Sequence, residues 1–267
     1  MTRIENRAEP TSVDHSVNAA GAVLDLRGVG KIWPGGTVAV RRVDFGLRRG
    51  DFVSLVGPSG CGKSTVLRIV AGLEEQTSGR VVRPDDPPGC VFQQPNLLAW
   101  RNLLRNVELY AELDGMRAGE RRALTRDALQ LVGLTGFEDH LPHQLSGGMQ
   151  MRAALARALV TRPELLLFDE PFSAVDELLR ERLQEELMRL FTAERFAGLF
   201  ITHSVTEAVF LSTRVLVMTP RPGTIGATID VPLPFPRPPE LRFAPEFIEI
   251  VREVAGVMRG FSEESGA

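Results

Sequence analysis

The residues with the plainest chemistry are Gly57, Pro58, Ser59, Gly60, Cys61, Gly62, Lys63, Ser64 and Thr65. They fit G-x-x-x-x-G-K-[ST], a loop whose glycines let backbone N–H groups turn inward onto phosphate oxygens. Lys63 adds a point charge for the terminal phosphates, and the Ser64 hydroxyl is a Mg²⁺ ligand of the kind such loops provide. A second signal lies downstream, where Leu165, Leu166, Leu167 and Phe168 run into two carboxylates, Asp169 and Glu170. A buried strand ending in Asp delivers that carboxylate to hydrated Mg²⁺ beside the phosphates. Glu170, one residue on, is placed to orient or deprotonate an attacking water. A third signal is Leu145-Ser146-Gly147-Gly148-Met149-Gln150, which opens a helix. Ser146 suits an N-cap. The same hydroxyl and the bare amides behind it also make a phosphate site. Two phosphate sites in one chain are explained if two copies face head to tail and each lends its Ser146 loop to the other's nucleotide.

These groups need elements to hold them. Residues 51–56 read as a buried strand entering the phosphate loop, and residues 65–73 as a helix leaving it, which is the context the motif requires. Regular structure begins near Val23. Residues 30–36 form a turn-rich stretch around Trp33, and residues 38–43 and 44–47 read as two strands of an antiparallel hairpin or meander. Residues 78–82 look like an edge strand, and residues 89–93 a buried strand ending in Gln93. Helical spacing follows at 103–109, 121–132 and 147–160 with no strand pattern between, so this stretch reads as a helical insertion. Strands resume at 165–169, 198–203 and 215–218, with helices at about 176–196 and at 205–211. Such alternation implies a largely parallel sheet. The expected class is α/β: a P-loop NTPase core of mainly parallel sheet with an antiparallel β subdomain and a helical insertion. The expected divisions are a flexible tail (1–20), an ATP-binding core (21–93 and 163–231), a helical subdomain (94–162), and a proline-rich linker with a C-terminal helix (232–267).

Composition narrows the classes. With 43% hydrophobic and 24% charged residues this is an ordinary globular chain. A net charge of −3 argues against a nucleic-acid partner, which calls for a basic face. No run approaches the ~18 apolar residues of a membrane span, and the N-terminus has no apolar signal core, so a cytoplasmic location is expected. Only Cys61 and Cys90 occur, which excludes a disulfide framework and a four-Cys metal site. Beside Lys63 and near a helix N-terminus, Cys61 is expected to be a reactive thiolate, with Cys90 inert in an interior strand.

Leu-Ser-Gly-Gly-Met at 145–149, with the phosphate loop upstream and Leu-Leu-Leu-Phe-Asp-Glu-Pro downstream, resembles the ATP-binding subunits of ABC transporters. The resemblance covers nearly the whole chain after the tail. It implies that Gln93 lies at the glutamine loop, where the side chain senses Mg²⁺ and water and faces a transmembrane partner. Ser173-Ala174-Val175-Asp176 looks like the loop that crosses the dimer, with Val175 where Leu is usual. His203 matches the switch histidine that contacts the γ-phosphate. Trp33 matches the aromatic that stacks on adenine, a contact worth ~1–3 kcal/mol.

The resemblance therefore assigns ATP to Trp33 and residues 57–65, and Mg²⁺ to Ser64, Gln93 and Asp169. Hydrolysis falls to Glu170, His203 and Gln93. Ser146, Gly147, Gly148 and Asp176 act across a homodimer.

Residues 94–100 and 218–223 look like the importers of nitrate, aliphatic sulfonates and taurine, although Pro is more usual where Ala99 stands. So does the short proline-rich end, and the β-rich regulatory domain of sugar-importer ATPases is not expected here. The implied protein is a peripheral ATPase on the cytoplasmic face of the membrane. Its partners are integral membrane permease subunits and an extracytoplasmic solute-binding protein. An exporter ATPase would carry the same motifs. A non-transport ABC ATPase of the chromosome or DNA-repair type would need a long coiled coil between Thr65 and Leu145, where no heptads are sustained. A small-molecule kinase would have no use for the Leu-Ser-Gly-Gly helix start.

Overall fold

Continuous apolar runs, rather than alternation, mark strands buried on both faces. The computed structural model describes residues 21–264, and the tail expected over 1–20 lies outside them. In chain order the strands are β1 (Ala22–Ile32), β2 (Val38–Arg48), β3 (Phe52–Val56), β4 (Ser78–Val82), β5 (Gly89–Phe92), β6 (Leu165–Asp169), β7 (Ala197–Ile201), β8 (Arg214–Met218) and β9 (Gly223–Asp230). The helices are α1 (Lys63–Val70), α2 (Leu103–Val107), α3 (Leu109–Leu113), α4 (Ala118–Leu131), α5 (Gly147–Leu159), α6 (Glu177–Glu194), α7 (Val205–Leu211) and α8 (Pro245–Glu264). They flank one nine-stranded sheet of order β4-β1-β2-β9-β8-β3-β7-β6-β5. From β8 to β5 every neighbouring pair is parallel, so five strands open their carboxyl ends on the same edge.

The pleat splits the interior in two. Phe52, Leu166, Phe168 and Phe200 face a core shared with α2 to α8. Val53, Leu165, Leu167 and Leu199 face another, shared with α1, β1 and β2. The first core is built around Phe52. Its ring centroid lies 5.7 Å from Phe168, 5.3 Å from Phe191, 6.4 Å from Phe196 and 5.9 Å from Phe200. The ring fits because its partner in register across to β7 is Gly198, where a Cβ would come within 2.6 Å of it.

The structure departs from the sequence reading in three places. Residues 38–48 form one unbroken strand rather than two, paired antiparallel with β1. Asp44, expected to start the second of them, accepts the Gly28 N–H at 2.7 Å, at a bulge where Gly28 has φ +60°. Strand β9 was not foreseen. It pairs antiparallel with β8 and parallel with β2, and so joins the two halves of the sheet. β5 is the last strand of the sheet rather than an interior one.

The chain beyond β9 lies against the body of the molecule. Arg237, 3% exposed, donates to the carbonyls of Val209 (2.7 Å), Phe210 (2.8 Å) and Leu233 (2.9 Å). Burial lowers its pKa to about 10, which leaves it a cation at neutral pH.

Phe52→Ala removes the ring that Gly198 accommodates and around which four others gather. The expected loss is roughly 3–5 kcal/mol of unfolding free energy, read from the shift in urea midpoint at unchanged slope. A shift within experimental error would show that the cluster is not the centre of the core.

Candidate functional site

The phosphate loop leaves the end of β3 and enters α1 at Gly62. This glycine has φ +112° and sits on β2, where a Cβ would lie 2.9 Å from Val40 Cγ2 and 3.0 Å from the Ala39 carbonyl. No side chain caps α1, so its first amides remain available to an anion. The loop is braced from the other side by the β8–β9 turn. Arg221 Nε donates to the Gly60 carbonyl at 3.1 Å, and Gly223 approaches the Cys61 carbonyl so closely that any side chain there would collide.

Lys63 is 8% exposed and its Nζ donates to the carbonyls of Gly57 (2.9 Å) and Pro58 (3.2 Å). Among the described residues no carboxylate forms an ion pair with it. A buried cation held by two carbonyl dipoles and a weak contact to the Cys61 sulfur, beside uncapped amides, suits an incoming anion such as phosphate.

Ser64 Oγ donates to Asp169 Oδ1 at 3.3 Å, which joins the phosphate loop to the end of β6. Burial raises the Asp169 carboxyl above the ordinary carboxylate range; the Ser64 hydrogen bond opposes the rise and neighbouring Glu170 adds to it. A hydroxyl and a carboxylate are hard oxygen donors, the set Mg²⁺ takes when waters and phosphates complete its shell. Among the described residues no group of three His, Cys, Asp or Glu forms an all-protein cage for a metal.

Glu170 turns away from the strand with φ +47°, a left-handed backbone that a non-glycine residue adopts only when its surroundings hold it. Its N–H donates to the Ile201 carbonyl at 3.0 Å, and its own carbonyl accepts the Ser173 hydroxyl at 2.9 Å. This turn brings Glu170 Oε2 within 3.2 Å of His203 Nδ1, which stands just past the end of β7. Gln93 follows Phe92, which is in register with Asp169, so it leaves the sheet at the same level and is exposed.

Trp33 opens the turn between β1 and β2, with Lys31 Nζ 4.7 Å from its ring centroid. The strand that follows the turn carries Ala39 and Val40 onto Gly62.

Ser146 caps α5 by accepting the Met149 N–H at 3.3 Å, and Asp176 caps α6 by accepting the Leu179 N–H at 3.1 Å. The two caps are neighbours because Leu179 lies over Gly148, where a Cβ would be 2.8 Å from Leu179 Cδ1. Ser146, Gly147 and Asp176 are exposed. Among the described residues no side-chain hydrogen bond ties them to the phosphate loop of the same chain.

A buried polar cluster behind His203 was not read from the sequence. Glu207, on α7, accepts from the Thr202 hydroxyl and from Gln184 Nε2 at 3.1 Å, with Arg180 Nε at 3.6 Å. Burial raises its pKa, against the pull of Thr202 and Arg180. Its members are far apart in the chain and each is unremarked alone, so no local pattern announces them.

The ABC transporter family matches over residues 40–173. A putative ATP-binding protein of Brucella abortus biovar 1 (strain 9-941) is 44% identical over 227 residues, 82% of this chain and 87% of that protein. An aliphatic sulfonates import ATP-binding protein of Pseudomonas syringae pv. syringae (strain B728a) is 45% identical over 218 residues, 81% of this chain and 89% of that protein. Among solved structures, the dimeric post-hydrolysis state of the ATP-binding cassette MJ0796 bound to ADP and Pi has a TM-score of 0.68 at 31% identity. That likeness covers 78% of this chain and 98% of the other.

The expectation of a thiolate at Cys61 is overturned. The side chain is 1% exposed and points into the core that holds Val66 and Met218. Burial raises its pKa more than Lys63, whose Nζ is 4.0 Å from the sulfur, lowers it. Cys90 is half-buried and burial pushes it up to about 11. Maleimide should therefore modify Cys61 slowly in the native protein and readily in urea. Its rate should climb about tenfold per unit between roughly pH 6.5 and 8.5 without levelling. Peptide-resolved labelling checks this, and a plateau near neutral pH would restore the thiolate.

Proposed function

The chain belongs to the ABC transporter family and is an ATPase, and from that premise we propose that it drives an importer. The proposed cargo is an aliphatic sulfonate or a related small solute of the nitrate and taurine class. It works as a homodimer on the cytoplasmic face of the membrane, beneath integral membrane permease subunits. An extracytoplasmic binding protein delivers the solute. The sulfonate class rests on the relative named for sulfonate import and on the stretches 94–100 and 218–223. Among the described residues no helix is long and apolar enough to cross a membrane, so the pathway itself belongs to other chains.

The observation that carries the hydrolytic reading is the meeting of Ser64 with Asp169 and of Glu170 with His203 at one sheet edge. The nucleotide base stacks on Trp33. Lys63 exchanges the carbonyls of Gly57 and Pro58 for phosphate oxygens, and the amides of residues 60–65 hold the rest. Ser64, Asp169 and Gln93 hold Mg²⁺, which when bound supplies positive charge to the terminal phosphate oxygens. Glu170 accepts a proton from the attacking water. The new P–O bond forms as the bond to the ADP oxygen breaks, and His203 donates a hydrogen bond to the transferred phosphoryl group. Ser146, Gly147 and Gly148 of a second copy close over the same phosphates, with Asp176 at the seam.

Glu170→Gln keeps the shape and removes the base. Turnover should fall by about 10²-fold or more with ATP affinity intact. Light scattering should show a dimer with ATP that disperses without it. Near-normal turnover would overturn the role of Glu170.

Deleting the gene should abolish growth of its host on an aliphatic sulfonate as sole sulfur source and leave growth on sulfate unchanged. Undiminished growth on the whole series of sulfonates would refute the substrate class.

A further inference from the structure

His203 stands one residue before the N-cap of α7, a helix of 7 residues. Whatever holds α7 therefore holds the histidine. From behind, Thr202 is fastened to Glu207, and Glu207 to Gln184 of α6. The relay does not stop there. Arg242, in the segment beyond β9, donates Nη2 to Gln184 Oε1 at 2.9 Å and lays its guanidinium over the Phe210 ring with Cζ 3.5 Å from the centroid. At the opposite end of α7, Arg237 closes the last carbonyls of the helix, those of Val209 and Phe210. Phe247 of α8 meets Phe210 edge-on, with centroids 6.4 Å apart. Residues 237–247 thus touch α7 at its carbonyl end, on its aromatic face and through the polar relay that ends at Thr202.

We propose that this C-terminal segment is a positioning element for hydrolysis, with Arg242 setting the place of His203 through Gln184, Glu207 and Thr202. The inference rests on His203 acting at the phosphate. The physical case is one of restraint. The contact between Glu170 and His203 is 3.2 Å and the His203 side chain is 63% exposed, so close packing does not fix it, and among the described residues its ring makes no second hydrogen bond. The restraint comes through the backbone from Thr202, whose hydroxyl both donates to Glu207 and accepts the Ser204 N–H at 3.0 Å. Removing Arg242 frees Gln184 to turn, and Glu207 then loses one of the donors that orient it. Geometry relaxed by a fraction of an ångström to an ångström at His203 affects the chemical step and leaves nucleotide binding alone.

The test is turnover and equilibrium ATP affinity in the full chain for Arg242→Met, Arg242→Lys and Gln184→Met. Arg242→Met keeps apolar contact with Phe210 and is expected to lower kcat by roughly tenfold, with KM and the ATP Kd within about twofold of the parent. Arg242→Lys, which can still donate to Gln184, should recover most of the loss. Gln184→Met should reproduce the Arg242→Met effect, and either variant serves if the other does not fold. His203→Ala separates this inference from the reading beneath it. If His203→Ala turns over normally, the site reading fails. If His203→Ala is inactive while Arg242→Met and Gln184→Met hydrolyse at the parent rate, only the positioning role falls. Combining Arg242→Met with His203→Ala should not reduce the residual rate further. An additional tenfold loss in the double variant, or a loss of ATP affinity in step with kcat, would overturn action through His203.

Discussion

The parallel register of four strands determines every distance at the site. Leu55 of β3 is aligned with Ile201 of β7, Ile201 with Asp169 of β6, and Asp169 with Phe92 of β5. The phosphate loop, Thr202 and His203, Glu170 and Gln93 therefore leave the sheet at one level, and short side chains suffice to bring Ser64 to Asp169 and Glu170 to His203. A slip of one residue would move a carboxylate by about 3.3 Å and turn it to the opposite face. What prevents the slip is steric. Phe52 fills the notch left by Gly198 directly across from it, and no neighbouring register offers a glycine at that place.

Upon that frame the site keeps two charged groups, Lys63 and Asp169, that form no ion pair among the described residues. Lys63 is buried among carbonyls, and the Asp169 carboxyl is raised by burial. Each is held by neutral partners alone, and each suits one half of a metal–phosphate pair. Such preorganisation lets an incoming nucleotide replace weak internal contacts rather than reorganise the fold. The braces around the loop serve the same end. β2 lies under Gly62, and the β8–β9 turn holds Gly60 and Cys61 from the side.

The remaining elements place what the phosphate loop lacks. Gly148 and Leu179 hold the caps of α5 and α6 together, so that Ser146 and Asp176 form a single exposed corner. Arg180 stabilises the loop leading to that corner by donating to the Phe172 and Val175 carbonyls, and it also faces Glu207 behind His203. The exposed corner and the turn that carries His203 are thus tied to one buried carboxylate, Glu207, the first through Arg180 and the second through Thr202.

Much of this protein was legible in its sequence. The phosphate loop, the Asp169–Glu170 pair and the Ser146 helix start are local devices, each built from chain neighbours whose types are dictated by backbone turns, caps or strand ends. The alternation of strand and helix likewise gave the α/β core. The structure decided the rest. Residues 38–43 and 44–47 read as two strands, yet the chain runs through Asp44 unbroken, and Asp44 serves a bulge on the adjacent strand. β9, which starts at Gly223 and carries Gly226 within it, became a strand only because β8 and β2 were there to pair with it. Cys61 read as a thiolate from its neighbours Lys63 and α1, yet the core beneath it outweighs both. The relay from Arg242 to Thr202 joins the segment beyond β9, α6, α7 and the turn before α7. Local backbone demands are written in adjacent residues, whereas burial, register and long-range hydrogen bonds depend on which distant segments arrive at the same place, and only the folded chain brings them there.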